Sequence, residues 1–419
     1  MVHSMPSGNS RDGEKIGLAG WVLASAFLFA DMEQFSIFKG ASVFDLFIVL
    51  VAVLIPLSFR SLSLPRGWYW VLGILSIMAA GMSMFNDVDL GALQSWALQI
   101  YLYLLYVPVV WFFTRRDLRL IQLIGQFIFL NSGMVGLELL IRIVRNDVVW
   151  WSGPAIPLLG GLGSQFVLAF GLIFGLQTMF SEWICRRRLW RMILASIVIM
   201  VVLAALGITL KRSAWLGAIF GIGLFTMFVS RTWFRGASTV LALAILAAVI
   251  GPRWVPETIA SRVRTVGYLV SGTGLWNDPS FAARREVQTQ ILSSFGEGNW
   301  TQQLFGFGYG RSSDIAGGAL ASDRAGSIHN AFLSRFAEAG VVGGVPFTLF
   351  WGIAAVVAAR KFFRFRRLFH QTPATVERVR FLFMGIVSAN FMVALTDTLL
   401  TPSVFLRTTF FLLGAVLAL

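Results

Sequence analysis

Three polar stretches in an otherwise apolar chain carry residue types that can do chemistry together. The first is IHNAFLSRFAEAGVVGG, Ile328 to Gly344, in which His329 and Asn330 head an apolar, helix-like run. The second is KRSAW, Lys211 to Trp215, and the third is FAARREVQTQIL, which holds Arg284 and Arg285. A histidine titrates near neutral pH and is the usual general base. An arginine stays charged and grips phosphate with a planar fork of donors. A base beside two such cations is equipped for attack by a hydroxyl on a carbon that bears a phosphate leaving group. The arginines would neutralise the charge that develops as the phosphate departs. No set of Asp, Glu and His has metal-site spacing, so the simplest expectation is catalysis without a metal or other cofactor.

Each of these residues also has a plainer use. Asn330 is a good helix N-cap, and His329 can simply sit in a membrane interface. An arginine at a membrane exit commonly snorkels to the headgroups, which would account for Arg212 beside Lys211. A pair such as Arg284 and Arg285 on a loop helix is commonly a solvated face. Downstream, LFGFGYGRS (Leu304 to Ser312) has glycines that suggest a tight turn or a close backbone approach. It lacks the Lys and Ser/Thr of a nucleotide phosphate loop.

The elements that must position these residues are membrane helices. Of 419 residues 57% are hydrophobic and only 13% charged, with a mean hydropathy of +0.76. Soluble domains carry roughly 25% charged residues, and here runs of about 20 apolar residues, enough to cross a bilayer, recur along the chain. The sequence thus predicts an all-α polytopic membrane protein of about 12 transmembrane helices. Their approximate cores are 16–37, 41–59, 68–85, 95–113, 118–144, 157–180, 190–210, 213–230, 237–252, 331–359, 379–397 and 403–419. The N-terminus imitates a signal peptide, but its apolar stretch runs on, and we read it as an uncleaved first helix.

The net charge of +14 belongs to the loops rather than to a nucleic-acid partner, since no nucleic-acid-binding module accompanies it. Arg60, Arg66, Arg115, Arg116, Arg119, Arg186 to Arg188, Arg191, Arg231, Arg235 and the run from Arg360 to Arg367 fall in alternate connections. The intervening short connections are nearly bare, which is the positive-inside pattern and puts both termini in the cytoplasm. The single cysteine, Cys185, excludes an internal disulfide. Glu138 is the main deep acidic residue, and Arg142 lies at helical spacing from it. The segmentation is therefore residues 1–252 with helices 1–9, residues 253–328 as a large external loop, and residues 329–419 with helices 10–12. A connection this long is usually functional or disordered; the periodicity of REVQTQILSSF favours a folded, helical cap.

These stretches, in this order, resemble the O-antigen ligase and polysaccharide polymerase superfamily of bacterial inner membranes. KRSAWLGAIFG resembles its arginine turn, ARREVQTQIL with LFGFGYG its loop helix and glycine motif, and HNAFLSRFAEAGVVG its His-Asn helix, with Gly340 and Gly343 at the family spacing. The detailed resemblance covers Arg212 to Gly344. It departs from the pattern after the loop arginines, where an aromatic residue is usual and this chain has Val287 and Gln288. The resemblance implies a periplasmic loop, an undecaprenyl-diphosphate-linked glycan donor, and transfer to an acceptor hydroxyl at the periplasmic face, without metal and with inversion. It implies His329 as general base, Arg212 and either Arg284 or Arg285 as diphosphate ligands, and Lys211 and Asn330 in support. The acceptor would be lipid A–core oligosaccharide for a ligase, or a growing O-antigen or exopolysaccharide chain for a polymerase. Two other readings stand beside it. A 12-helix transporter or flippase would place its polar groups near the midplane, and an envelope assembly partner would leave the shared external placement of His329 and the arginines unused.

Overall fold

The computed structural model describes residues 18–27, 46–52, 68–82, 90–145, 164–181, 189–209, 212–229, 279–309, 330–367, 385–387, 389 and 404–418. Regular structure among them is helical throughout. In chain order the helices are α1 (Leu18–Ala26), α2 (Trp68–Met82), α3 (Leu90–Tyr101), α4 (Val107–Arg116), α5 (Arg119–Val144), α6 (Ser164–Ser181) and α7 (Leu189–Thr209). There follow α8 (Arg212–Val229), α9 (Pro279–Glu297), α10 (Trp300–Phe305), α11 (Ala331–Arg367) and α12 (Val404–Ala418). Four stretches among the described residues are long and apolar enough to cross a membrane: Trp96–Arg116, Arg119–Val144, Leu189–Gly207 and Ala331–Arg364. Shorter apolar helices occupy Trp70–Met82, Phe166–Met179 and Thr408–Ala418. The expected span at 237–252, and most of that at 379–397, lies outside the described residues.

Where the expected apolar cores fall on described residues they lie on helices, and α4 and α11 outrun theirs at the basic ends. Arg115 and Arg116, expected in a connection, are the last residues of α4, and Arg360 to Arg367 continue α11. A long basic side chain can stay on the helix because its stem covers apolar surface while its head reaches water. Arg115 lies 5.3 Å from the Trp111 ring centroid, Arg116 4.1 Å from Phe112, and Arg191 5.2 Å from Trp190. Such cation–aromatic pairs suit a membrane interface.

α3 and α4 form one continuous rod joined by a π-turn at Leu102–Tyr106. Pro108 follows it and has no N–H to offer the ladder. In the wide turn Val107 N–H donates to Leu102 O, and the Tyr103 carbonyl accepts instead from the Trp70 indole at 3.1 Å. Tyr103 then packs at 5.5 Å from Phe350 and 4.6 Å from Phe410. This knot of rings ties α2, the α3–α4 rod, α11 and α12 together. A second group, α5, α6 and α7, packs with α8 laid against α6. Ile193, Leu194, Ile197 and Met200 of α7 stay exposed, as expected of a face that meets lipid.

Candidate functional site

The head of α11 is built by its first residues. The Asn330 side chain accepts from the backbone N–H of Phe332 and of Leu333, both at 3.1 Å, and so satisfies donors that open every helix. The capping role expected for Asn330 is present. His329, the residue immediately before the cap, lies outside the described residues, as does Lys211.

Residues 279–309 dock on this head. α9 buries Val287 and Ile291 against Leu333 and Ala337. Val287 stands where the family pattern tends to have an aromatic side chain, and here it is the contact that seats the loop helix. Arg285 and Glu286 are exposed on α9, and Arg284 occupies the same turn. α10 then starts with a capping box: Asn299 accepts from Gln302 N at 2.9 Å, and Gln302 accepts from Asn299 N at 3.0 Å. It stops at Gly306, whose N–H donates to Gln302 O at 2.8 Å.

The glycine motif meets α11 backbone to backbone. α11 is broken at Gly340 (φ 61°, ψ −162°), in a region that L side chains rarely adopt. Beside the break, Ala337 O accepts from Phe307 N at 2.8 Å and Glu338 O from Gly308 N at 3.2 Å. A Cβ added at Gly306 would lie 2.3 Å from the Glu338 carbonyl, and one at Gly340 would lie 2.3 Å from that of Leu304. Both glycines are therefore required by the contact, in agreement with the close approach read from the motif.

Two of the three stretches singled out in the sequence are thus brought together, through α9 and the glycine motif on α11. Arg212 is the first residue of α8, which packs against α6 and α7; the described contacts do not bring it to α11.

Beneath the docked motif lies a polar cluster that the sequence reading did not pick out. Arg335 and Glu338 of α11 are 2% and 0% exposed, and Gln99 of α3 is 4% exposed. Arg335 Nη2 donates to Gln99 Oε1 at 2.7 Å, and Gln99 Nε2 donates to the Tyr309 hydroxyl at 2.8 Å. Arg335 Nη1 is 3.9 Å from Glu338 Oε2. The guanidinium sits 5.4 Å from the Tyr309 ring and 5.3 Å from the Phe347 ring. Burial pushes the Tyr309 phenol above the usual tyrosine range, against an opposing pull from the Arg335 charge, so it remains a neutral hydroxyl at physiological pH. The signal was present in FLSRFAEAG: two ionisable residues on an apolar helix are functional candidates by default. Glu138 pairs with Arg142 at 2.6 Å, as their helical spacing suggested, on a partly exposed face of α5; it is not the deepest acid, because Glu338 is fully buried. Among the described residues no group of three or more His, Cys, Asp or Glu is placed to hold a metal ion.

Fold and site define a helical membrane protein in which two helices and a glycine motif are seated on the head of a broken apolar helix. Residues 195–348 match the family model described as O-antigen ligase. The matched stretch runs through α8, α9, the glycine motif and the head of α11, and it supports the superfamily resemblance drawn from the motifs. No curated protein matches the chain.

Proposed function

We propose that the protein is a membrane glycosyltransferase that moves a glycan from an undecaprenyl-diphosphate-linked donor to an acceptor hydroxyl at the periplasmic face. The O-antigen ligase match over residues 195–348 carries this reading, because it spans each element that bears a proposed site residue. His329 removes the proton of the acceptor hydroxyl as its oxygen attacks the anomeric carbon. The bond from that carbon to the diphosphate breaks, its electron pair leaves with the diphosphate, and attack from the opposite side inverts the centre. Arg212 and Arg284 neutralise the departing diphosphate, with Arg285 the alternative to Arg284. Lys211 supports Arg212, and the Asn330 cap fixes where the chain leaves α11 next to His329. No metal or cofactor takes part, and the aromatic helix bundle holds the prenyl chain. The protein sits in the bacterial inner membrane with both termini cytoplasmic, and the acceptor is lipid A–core oligosaccharide.

Substitution tests the chemistry. His329→Ala should lower transfer about 10²–10⁴-fold, the usual contribution of a positioned base, with normal insertion; full activity removes the assignment. Deleting the gene and separating the lipopolysaccharide tests the acceptor. Loss of all long chains with lipid-linked polymer retained is the result for a ligase. Core bearing one repeat would mean an O-antigen polymerase, and normal lipopolysaccharide with lost secreted polymer an exopolysaccharide polymerase.

A further inference from the structure

Arg335 joins three segments that are remote in sequence. Through Gln99 it reaches the α3–α4 rod, 236 residues away, and Gln99 reaches Tyr309, 210 residues away. A guanidinium this deep carries a large desolvation cost, and a well-packed apolar cluster of the same volume would often serve stability as well or better. What apolar packing lacks is direction. One guanidinium N–H fixes Gln99, while the same group lies against the rings of Tyr309 and Phe347. Among the described residues, the rest of the seam is two backbone hydrogen bonds from Phe307 and Gly308, the close approach of Gly306 and Gly340, the packing of Tyr309 on Ala80 and Ala339, and the patch of Val287, Ile291, Leu333 and Ala337. α9 carries Arg284 and Arg285, and Asn330 lies five positions before Arg335, about 7.5 Å along the helix axis.

We propose that Arg335 is a positioning residue: acting through Gln99 and Tyr309, it latches the loop helices onto the head of α11 and so sets where α9, with its two arginines, sits against that head. The consequence for transfer rests on the glycosyltransferase reading; the latch itself does not. An apolar substitute keeps the bulk and loses the register, so the loop opens more often and the donor's diphosphate meets misplaced arginines.

The test uses the full chain in native membranes, with Cys185→Ser and Val287→Cys in every variant. Val287 is 3% exposed, so a thiol introduced there reacts with a membrane-impermeant maleimide only when the loop lifts. Arg335→Met should speed labelling about tenfold or more, the scale of one lost hydrogen bond to a charged group. It should raise KM for the undecaprenyl-diphosphate-linked donor by a similar factor with a smaller change in kcat. Arg335→Lys, which keeps charge but not the fork, should recover only part of both. If Arg335→Met does not insert, Tyr309→Phe and Gln99→Leu decide by the same labelling. Unchanged labelling in the inserted variants overturns the latch. So does a collapse of kcat with the introduced thiol still protected. Faster labelling in a chain that transfers no glycan even without these substitutions would leave the latch standing and remove the activity reading instead.

Discussion

Two arginine–glutamate pairs on apolar helices behave oppositely. Arg142 and Glu138 are one turn apart on α5, 2.6 Å from each other and partly exposed. Arg335 and Glu338 are also one turn apart, but lie 3.9 Å from each other and are almost wholly buried. The first pair has contracted onto itself. In the second the guanidinium is drawn elsewhere, to Gln99 and to the faces of Tyr309 and Phe347. The close pair neutralises charge along one helix face; the stretched pair directs its guanidinium to other segments. Burial follows the same division, because only partners from other segments can bring enough atoms to cover both groups.

Substitutions should separate the two pairs by size of effect. Glu338→Gln leaves the Arg335 charge buried with its carboxylate gone, so stability should fall by about 3–5 kcal/mol, the scale for breaking a buried pair. Thermal unfolding of the detergent-extracted protein measures it, and a loss below that of Glu138→Gln would erase the distinction. Asn330→Ala should cost about 1 kcal/mol, the usual loss for a side-chain cap, read as a small fall in midpoint and fraying confined to the first turn of α11. Glu138→Gln should change stability by no more than about 0.5 kcal/mol, since a partly exposed i,i+4 pair contributes little; a large loss would mean that this pair also joins helices.

The same contrast explains what was legible in the sequence. Glu138 with Arg142 is a local spacing, and the Asn330 cap is a local pattern, so both could be read directly. Apolar runs gave the helix cores, while their basic ends were misplaced into connections because hydropathy cannot see a stem lying along a helix. The glycines of LFGFGYG announced a close approach without naming its partner, which is a helix broken at Gly340, well downstream of the motif. Gln99, Tyr309 and Arg335 were not legible together, since nothing local in a sequence pairs Gln99 with residues 210 and 236 positions away. Arg284 and Arg285 were expected on a loop helix and are on one; the role proposed for His329 is tested by the His329→Ala variant above.

The break at Gly340 also divides α11 by length. Residues 341–367 alone rise about 40 Å at 1.5 Å per residue, more than the roughly 30 Å of hydrocarbon in a bilayer. Residues 331–339 are therefore surplus to crossing and add about 14 Å of stem. On the glycosyltransferase reading proposed above, that surplus would act as a gauge rod: it would set the height above the lipid tails at which the docked loop rides, so that a donor anchored by its own lipid tail meets the loop at a depth fixed by counting residues from one glycine.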